Sequence, residues 1–319
     1  MTSEFEFPRM GEAPDLDLSV AVVGCGSIGR RHIQTLLKQG PRIVGVDPLD
    51  VPLPDSVQHY RTLREAGKVD AVLVCTPASD RIRIIREALA MGAHLFIEKP
   101  LAMTYAEAEE IAALVAEYPH RKVMLGYNLR FDPDLQTFAA QLPDLGRLMY
   151  AQVRCSSYLP RWRPGRDYSQ TPSARAALGG GILREASHEL DLINWLFSPK
   201  SVAIGASMRK VSDLDIDCED LVAATLETET GLVIELHLDF ITPGYSRGIR
   251  VVGTKGEAEW RLGPESPMYE REIAHFLDCV VNNKKPAVGI GDGLRAMELD
   301  QLIRAASAAF DEARGRLAA

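Results

Sequence analysis

None of the five cysteines (Cys25, Cys75, Cys155, Cys218 and Cys279) sits in a CxxC pair or at a metal-ligand spacing. That excludes a disulfide framework and a thiolate metal site, and it fits reduced thiols in a cytoplasmic protein. Positive charge is also scarce. Lys plus Arg number 36 against 44 Asp plus Glu, and the net charge of −8 argues against a nucleic-acid-binding surface. No apolar run approaches the ~18 residues that would cross a membrane. Residues 1–17 carry neither a basic n-region nor an apolar core, so they read as a loose acidic arm and not as a signal peptide. Internal repeats and low-complexity segments are absent too.

What is present suits a two-domain enzyme of 319 residues, with 46% hydrophobic residues for a core in each domain. Residues 18–23 form a β-rich apolar run that breaks into Gly24-Cys25-Gly26-Ser27-Ile28-Gly29, followed by a helical pattern through Ile33, Leu36 and Leu37. Strand, glycines and helix in that order describe a dinucleotide-binding turn. Gly24 allows the tight turn, Gly26 the approach of a pyrophosphate, and Gly29 close helix–strand packing. The helix N-terminus stabilises the phosphate charge. A second strand, Arg42 to Val46, ends in Asp47, 18 residues beyond Gly29. An acid there accepts the adenosine-ribose hydroxyls and repels a 2′-phosphate, which favours NAD over NADP.

Strands and helices go on alternating. Residues 69–75 form another apolar strand closed by Thr76-Pro77, a helix runs through Ile82, Ile84, Ile85 and Leu89, and Leu95-Phe96-Ile97 leads into Glu98-Lys99-Pro100. This alternation predicts a doubly wound parallel sheet. Ligands of such sheets sit at the carboxyl ends of the strands, where Lys99 emerges. Pro100 restricts the direction in which the chain leaves, so Lys99 stands on a rigid corner from which its amine can trade a proton with a bound hydroxyl. A further helix over about 105–117 and a strand over 122–125 precede Gly126-Tyr127-Asn128-Leu129-Arg130-Phe131.

The glycine loop, Cys75-Thr76-Pro77, Glu98-Lys99-Pro100 and the Gly126–Phe131 run, in this order, resemble the Gfo/Idh/MocA oxidoreductases. That resemblance implies an N-terminal Rossmann domain over 1–125 and a C-terminal α+β domain over 126–319 built on a large, open, mainly antiparallel sheet. It implies a nicotinamide cofactor held by Gly24, Gly26, Ser27, Ile28, Gly29, Asp47, Cys75, Thr76, Pro77, Glu98, Lys99 and Asn128. It also implies a cis Lys99–Pro100 bond and a homodimer or homotetramer formed through the C-terminal sheet.

The second half reads accordingly. Strand-like runs at 149–158, 202–210, 221–227, 232–240, 248–252 and 257–262 are mostly joined by turn-like connections, which means an antiparallel sheet. Several of them alternate apolar and polar residues, as at Leu232, Ile234, Leu236 and Leu238, and helices over 270–281 and 294–310 close the chain. Among these runs lie Gly179-Gly180-Gly181 and a helical stretch on which Arg184, His188 and Asp191 fall at i, i+4 and i+7, with Glu185 three before His188. His188 matches a histidine commonly found in the family's active sites. Where many members have an aspartate four residues earlier, this chain has Arg184; Glu185 matches the acid that others have three before. The stretch from Tyr158 to Tyr168, together with Ser187-His188-Glu189-Leu190-Asp191, resembles a subgroup from bacterial surface-glycan and sialic-acid-like sugar pathways. Arg161, Arg163 and Arg166, with Arg130 and Arg184, suit carboxylates and phosphates, and Tyr158, Trp162 and Tyr168 suit a sugar or base.

The expected function is hydride transfer between NAD and a secondary alcohol or ketone of an anionic sugar or nucleotide sugar, with no metal. Lys99 and His188 would handle the proton. Lys99, Arg130, Tyr158, Trp162, Arg163, Tyr168, Arg184, Glu185 and His188 would hold the substrate. A cofactor-binding regulator without catalysis is the alternative.

Overall fold

The structure is a computed structural model that describes residues 16–199 and 202–318, so all but the last two residues of the expected arm lie outside it. The apolar runs at the start of the chain become parallel strands: β1 (Ser19–Val23), β2 (Arg42–Val46), β3 (Gln58–Tyr60), β4 (Ala71–Val74), β5 (His94–Ile97) and β6 (Val123–Leu125). Between them lie α1 (Ser27–Leu37), α2 (Leu63–Ala66), α3 (Arg81–Ala90) and α4 (Tyr105–Ala116). The sheet order is β3-β2-β1-β4-β5-β6, so the winding reverses between β1 and β4. This is the strand order of dinucleotide-binding sheets, and the reversal marks where a ligand sits. Leu95, Phe96 and Ile97 of β5 are fully buried. Burial of such side chains is worth ~1.5–3 kcal/mol each, which fixes the strand end that carries Lys99. The short β3, which the apolar pattern did not announce, pairs with β2 through Val44–Gln58 to Val46–Tyr60.

The chain continues through α5 (Pro133–Gln141), whose N-cap Asp132 accepts from Leu135 N, and β7 (Leu148–Tyr158). Short helices α6 (Ile182–Glu185) and α7 (Ser187–Phe197) follow, then β8 (Val202–Arg209), β9 (Leu221–Thr228), β10 (Val233–Asp239), β11 (Ile241–Gly253) and β12 (Gly256–Arg261). These strands form a second sheet ordered β12-β11-β7-β10-β9-β8. Its pairings are antiparallel except β7–β10, which is parallel. Strict alternation of buried and exposed residues along β9 gives the sheet one covered face, as the sequence pattern required. The helices α8 (Met268–Val281) and α9 (Ile290–Ala318) end the chain. No helix among the described residues is long and apolar enough to cross a membrane.

The described residues divide into two compact units, one of 16–102, 106–131 and 267–291, the other of 103–105, 132–199, 202–266 and 292–318. A single boundary at 125/126 is therefore too simple. The turn Asn128–Phe131 stays with the parallel sheet, and α8 returns to it late in the chain. Its buried face, Ile273, Phe276 and Leu277, joins that unit's core, with Phe276 edge-on to Phe96 at 5.7 Å.

Candidate active site

The motif loops of the first unit are rooted by one repeated device. At the carboxyl edge of the parallel sheet, each loop's first amide bonds to the last carbonyl of a neighbouring strand. Gly24 N donates to Val46 O, Cys75 N to Val23 O, Glu98 N to Val74 O and Gly126 N to Ile97 O. The four motifs therefore leave side by side because their strands pair in register. Gly24 has φ +90°, and a Cβ there would lie 2.9 Å from the Cys75 carbonyl, so only glycine lets the two loops meet. A Cβ on Gly29 would fall 2.0 Å from Gly24 O, whereas Gly26 faces open space. The first is the close helix–strand packing expected of Gly29; the second is room for a phosphate.

Asp47 is fixed where β2 ends. Its Oδ2 accepts from Cys25 N at 2.8 Å and its Oδ1 from Leu49 N at 3.0 Å, so the carboxylate is tied to the glycine loop. Burial pushes the Cys25 thiol up to about 11 and the Cys75 thiol well above its ordinary value. Both are thus held as neutral thiols, not nucleophiles.

Lys99 follows Glu98, a buried acid with both carboxyl oxygens engaged. Glu98 Oε1 pairs with His32 Nε2 at 2.6 Å, and its Oε2 accepts from Lys99 N at 3.1 Å. Burial works to raise the Glu98 carboxyl, but the bond from His32 and the charges of His32, Lys99 and Arg81 outweigh it and hold the group below its usual range. The Lys99–Pro100 bond is cis. Arg81 donates through Nε to Thr76 O at 3.1 Å, through Nη2 to Lys99 O at 3.2 Å and through Nη1 to Pro100 O.

In the second unit, the stretch after the three glycines differs from the single helix expected. Ala186, at φ −93° and ψ 30°, separates α6 from α7. Arg184 and His188 therefore belong to two helices, and the i, i+4, i+7 phase is broken between them. Ala186 N still makes the helical bond to Ile182 O, so the break lies in the positive ψ of Ala186, which turns the chain before Ser187 starts α7. Arg184 Nη2 donates to Met103 O at 3.3 Å, and Glu185 accepts from the Ser173 hydroxyl at 2.6 Å. His188 is buried in the first turn of α7.

The arginine-rich loop is ordered by its aromatics. Trp162 Nε1 donates to Ser157 Oγ at 3.0 Å, and its ring stands edge-on to Phe240 at 5.2 Å. Tyr168 Oη accepts from Asp215 N. Arg161 donates to Pro243 O and lies over the Tyr158 ring. Trp162, Tyr168 and Tyr158 thus have packing roles in this unit. The Arg163 and Arg166 side chains make no hydrogen bond or ion pair among the described residues. Arg130 is instead buried in the first unit, in the turn Asn128–Phe131.

Residues 18–127 match the model of the oxidoreductase family with an NAD-binding Rossmann fold, and residues 143–259 match the Gfo/Idh/MocA C-terminal domain. The chain belongs to the Gfo/Idh/MocA oxidoreductase family. It is 29% identical over 285 residues to an inositol 2-dehydrogenase of Pseudomonas fluorescens, covering 83% of this chain and 80% of that one. Among solved structures, it resembles in fold the myo-inositol 2-dehydrogenase of Lactobacillus plantarum (TM-score 0.81, 19% identity, 92% of this chain and 97% of that one). It likewise resembles the WlbA dehydrogenase of Bordetella pertussis, solved with NADH and UDP-GlcNAcA (TM-score 0.76, 18% identity, 92% and 96% covered).

As a member of that family the chain is an NAD-binding dehydrogenase, and the first unit fits the cofactor. The open side of Gly26 leaves room for a pyrophosphate at the start of α1. The Thr76 hydroxyl and Asn128 Oδ1 are buried without a hydrogen-bond partner among the described residues, and NAD carries ribose hydroxyls and an amide that can pair with such groups. Arg81, His32 and Glu272 escaped the sequence reading. Arg81 stands five residues after Thr76 at a helix start, a place that by pattern alone is an ordinary exposed cation.

Proposed function

We propose that this oxidoreductase moves a hydride between NAD and a secondary alcohol or ketone of a sugar or polyol, and that its preferred substrate is an anionic sugar or nucleotide sugar. The observation that carries the reading is the placement of Lys99, one strand from the switch point and braced through both its main-chain amide and its carbonyl. When bound, NAD supplies the hydride chemistry. The chain's own residues hold the dinucleotide at Gly24 to Gly29 and Asp47, line the loop at Thr76 and Asn128, and move one proton between Lys99 Nζ and the reacting oxygen. His188 shares that proton, and Arg184, Arg163 and Arg166 attract the substrate's negative charge.

The unpaired arginines at 163 and 166 support the anionic class. Inositol 2-dehydrogenases among the relatives support a polyol ring. A cytoplasmic homo-oligomer joined through the second sheet completes the reading. The test is absorbance at 340 nm with NAD⁺ and a panel of myo-inositol, scyllo-inositol, neutral hexoses, hexuronic acids and UDP-hexuronic acids. Acidic sugars turned over best would support the reading. A silent panel with tight NADH binding would favour a cofactor-binding regulator.

A further inference from the structure

Arg81 opens α3, and its side chain turns back over the carboxyl edge of the parallel sheet. Its three contacts, to Thr76 O, Lys99 O and Pro100 O, are all main-chain carbonyls in the loops that leave β4 and β5. The ladder between those strands ends with Glu98 N bonding Val74 O. One residue further on, the guanidinium bridges them. Arg81 is only 4% exposed and has no carboxylate at ion-pair distance among the described residues. Burial lowers it to about 10, which leaves it a cation at neutral pH.

A buried guanidinium is costly, and five donors in a planar fork suit acceptors that lie in several directions. Here the fork spans two loops. One carries Thr76, whose hydroxyl is available to the cofactor; the other carries Lys99.

We infer that Arg81 is a positioning residue of the reaction: it locks the Lys99 main chain against the Thr76 loop and so aims the lysine amine at the reacting oxygen. The inference rests on the role given to Lys99 under Proposed function. It touches neither the glycine loop nor Asp47, so the adenosine half of the cofactor should bind without it. Misplacing a reacting group by about 1 Å can cost ~10²-fold in rate.

The test uses four variants of the full chain: Arg81→Gln, Arg81→Lys, Lys99→Met and the Arg81→Gln/Lys99→Met double. Each is titrated with NADH and ADP-ribose by fluorescence or calorimetry, and assayed with the fastest alcohol of the panel. Arg81→Gln should lose ~10²-fold in kcat with ADP-ribose affinity unchanged, and Arg81→Lys, a point charge without the fork, should fall between it and wild type. The double variant should be no slower than Lys99→Met alone, because the arginine acts through the lysine.

Unchanged kcat in Arg81→Gln, beside a crippled Lys99→Met, would overturn the inference and spare the reading of Lys99. A loss in the double equal to the product of the singles would also overturn it. So would failure of both Arg81 variants to fold, which would assign the guanidinium to stability alone. Full activity in Lys99→Met would remove the reading of Lys99 and this inference with it.

Discussion

His32 Nε2 and Glu98 Oε1 lie 2.6 Å apart in the interior of the first unit, joining the helix that follows the glycine loop to the strand end that carries Lys99. Near them, on α8, Glu272 is fully buried with neither carboxyl oxygen hydrogen-bonded among the described residues. Burial, and then the negative charge of Glu98, push the Glu272 carboxyl well above its ordinary 4.5. The two acids are thereby split: His32 and Lys99 hold the Glu98 carboxyl below its usual range, while burial and the charge of Glu98 hold the Glu272 carboxyl above it.

That split has a pH signature. Above the ordinary pKa of 4.5 an unfolded Glu272 has lost its proton while the folded one keeps it, so the native state binds more protons. Stability must then fall as pH rises through this window, by about 1.4 kcal/mol per unit from this group. Glu272→Gln, neutral in both states, removes the slope. The thermal stability of the variant should gain on that of wild type as pH rises above the ordinary 4.5. A difference that does not change with pH would show that Glu272 ionises normally.

The parallel half was legible because each of its signals is local. The glycines, Asp47 and Glu98-Lys99-Pro100 lie within a few residues of the strand ends that place them. What was not legible is what the fold brings from afar. The bonds of Arg81 to Lys99 and Pro100 span 18 and 19 residues, and the bond between His32 and Glu98 spans 66. The pattern over 270–281 announced an amphipathic helix, but no period says which of two cores its apolar face joins. The break at Ala186 was equally silent, since alanine favours the helix it interrupts.

Cofactor choice tests the β2 end. Asp47 is held by two backbone amides in an orientation that its neighbours fix. Wild type should bind NAD(H) more tightly than NADP(H), and Asp47→Asn should narrow the gap by at least about tenfold by removing a like charge beside the 2′-phosphate. Fluorescence titration at one fixed ionic strength measures both. Tighter NADP(H) binding in wild type would mean that Asp47 does not meet the ribose.

The substrate's charge can be read from salt. Arg163 is half-buried and Arg166 exposed, and neither is paired within the described structure. Replacing either with Ala should raise KM several-fold for an acidic sugar and leave KM for a neutral polyol unchanged. Raising ionic strength from 0.05 to 0.5 M should weaken the acidic substrate in wild type and have less effect in the variants. Equal salt response of acidic and neutral substrates would dismiss the arginines as solvated surface.

The proton's path is the last test. The break at Ala186 places Arg184 and His188 on separate helices; the guanidinium is anchored to Met103 O, and Glu185 is engaged by Ser173. An imidazole can both give and take a proton, so His188 can share one with a lysine at a reacting hydroxyl. If it does so, the pH–rate profile belongs to the pair. His188→Asn should then lower kcat by ~10²-fold and delete one limb of the profile, with NADH affinity unchanged. Arg184→Ala should keep both limbs and mainly raise KM for an acidic substrate. Should His188→Asn retain the wild-type rate and both limbs, His188 is structural and Lys99 moves the proton alone. Should Arg184→Ala lower thermal stability and leave KM untouched, its guanidinium serves Met103 and not the substrate.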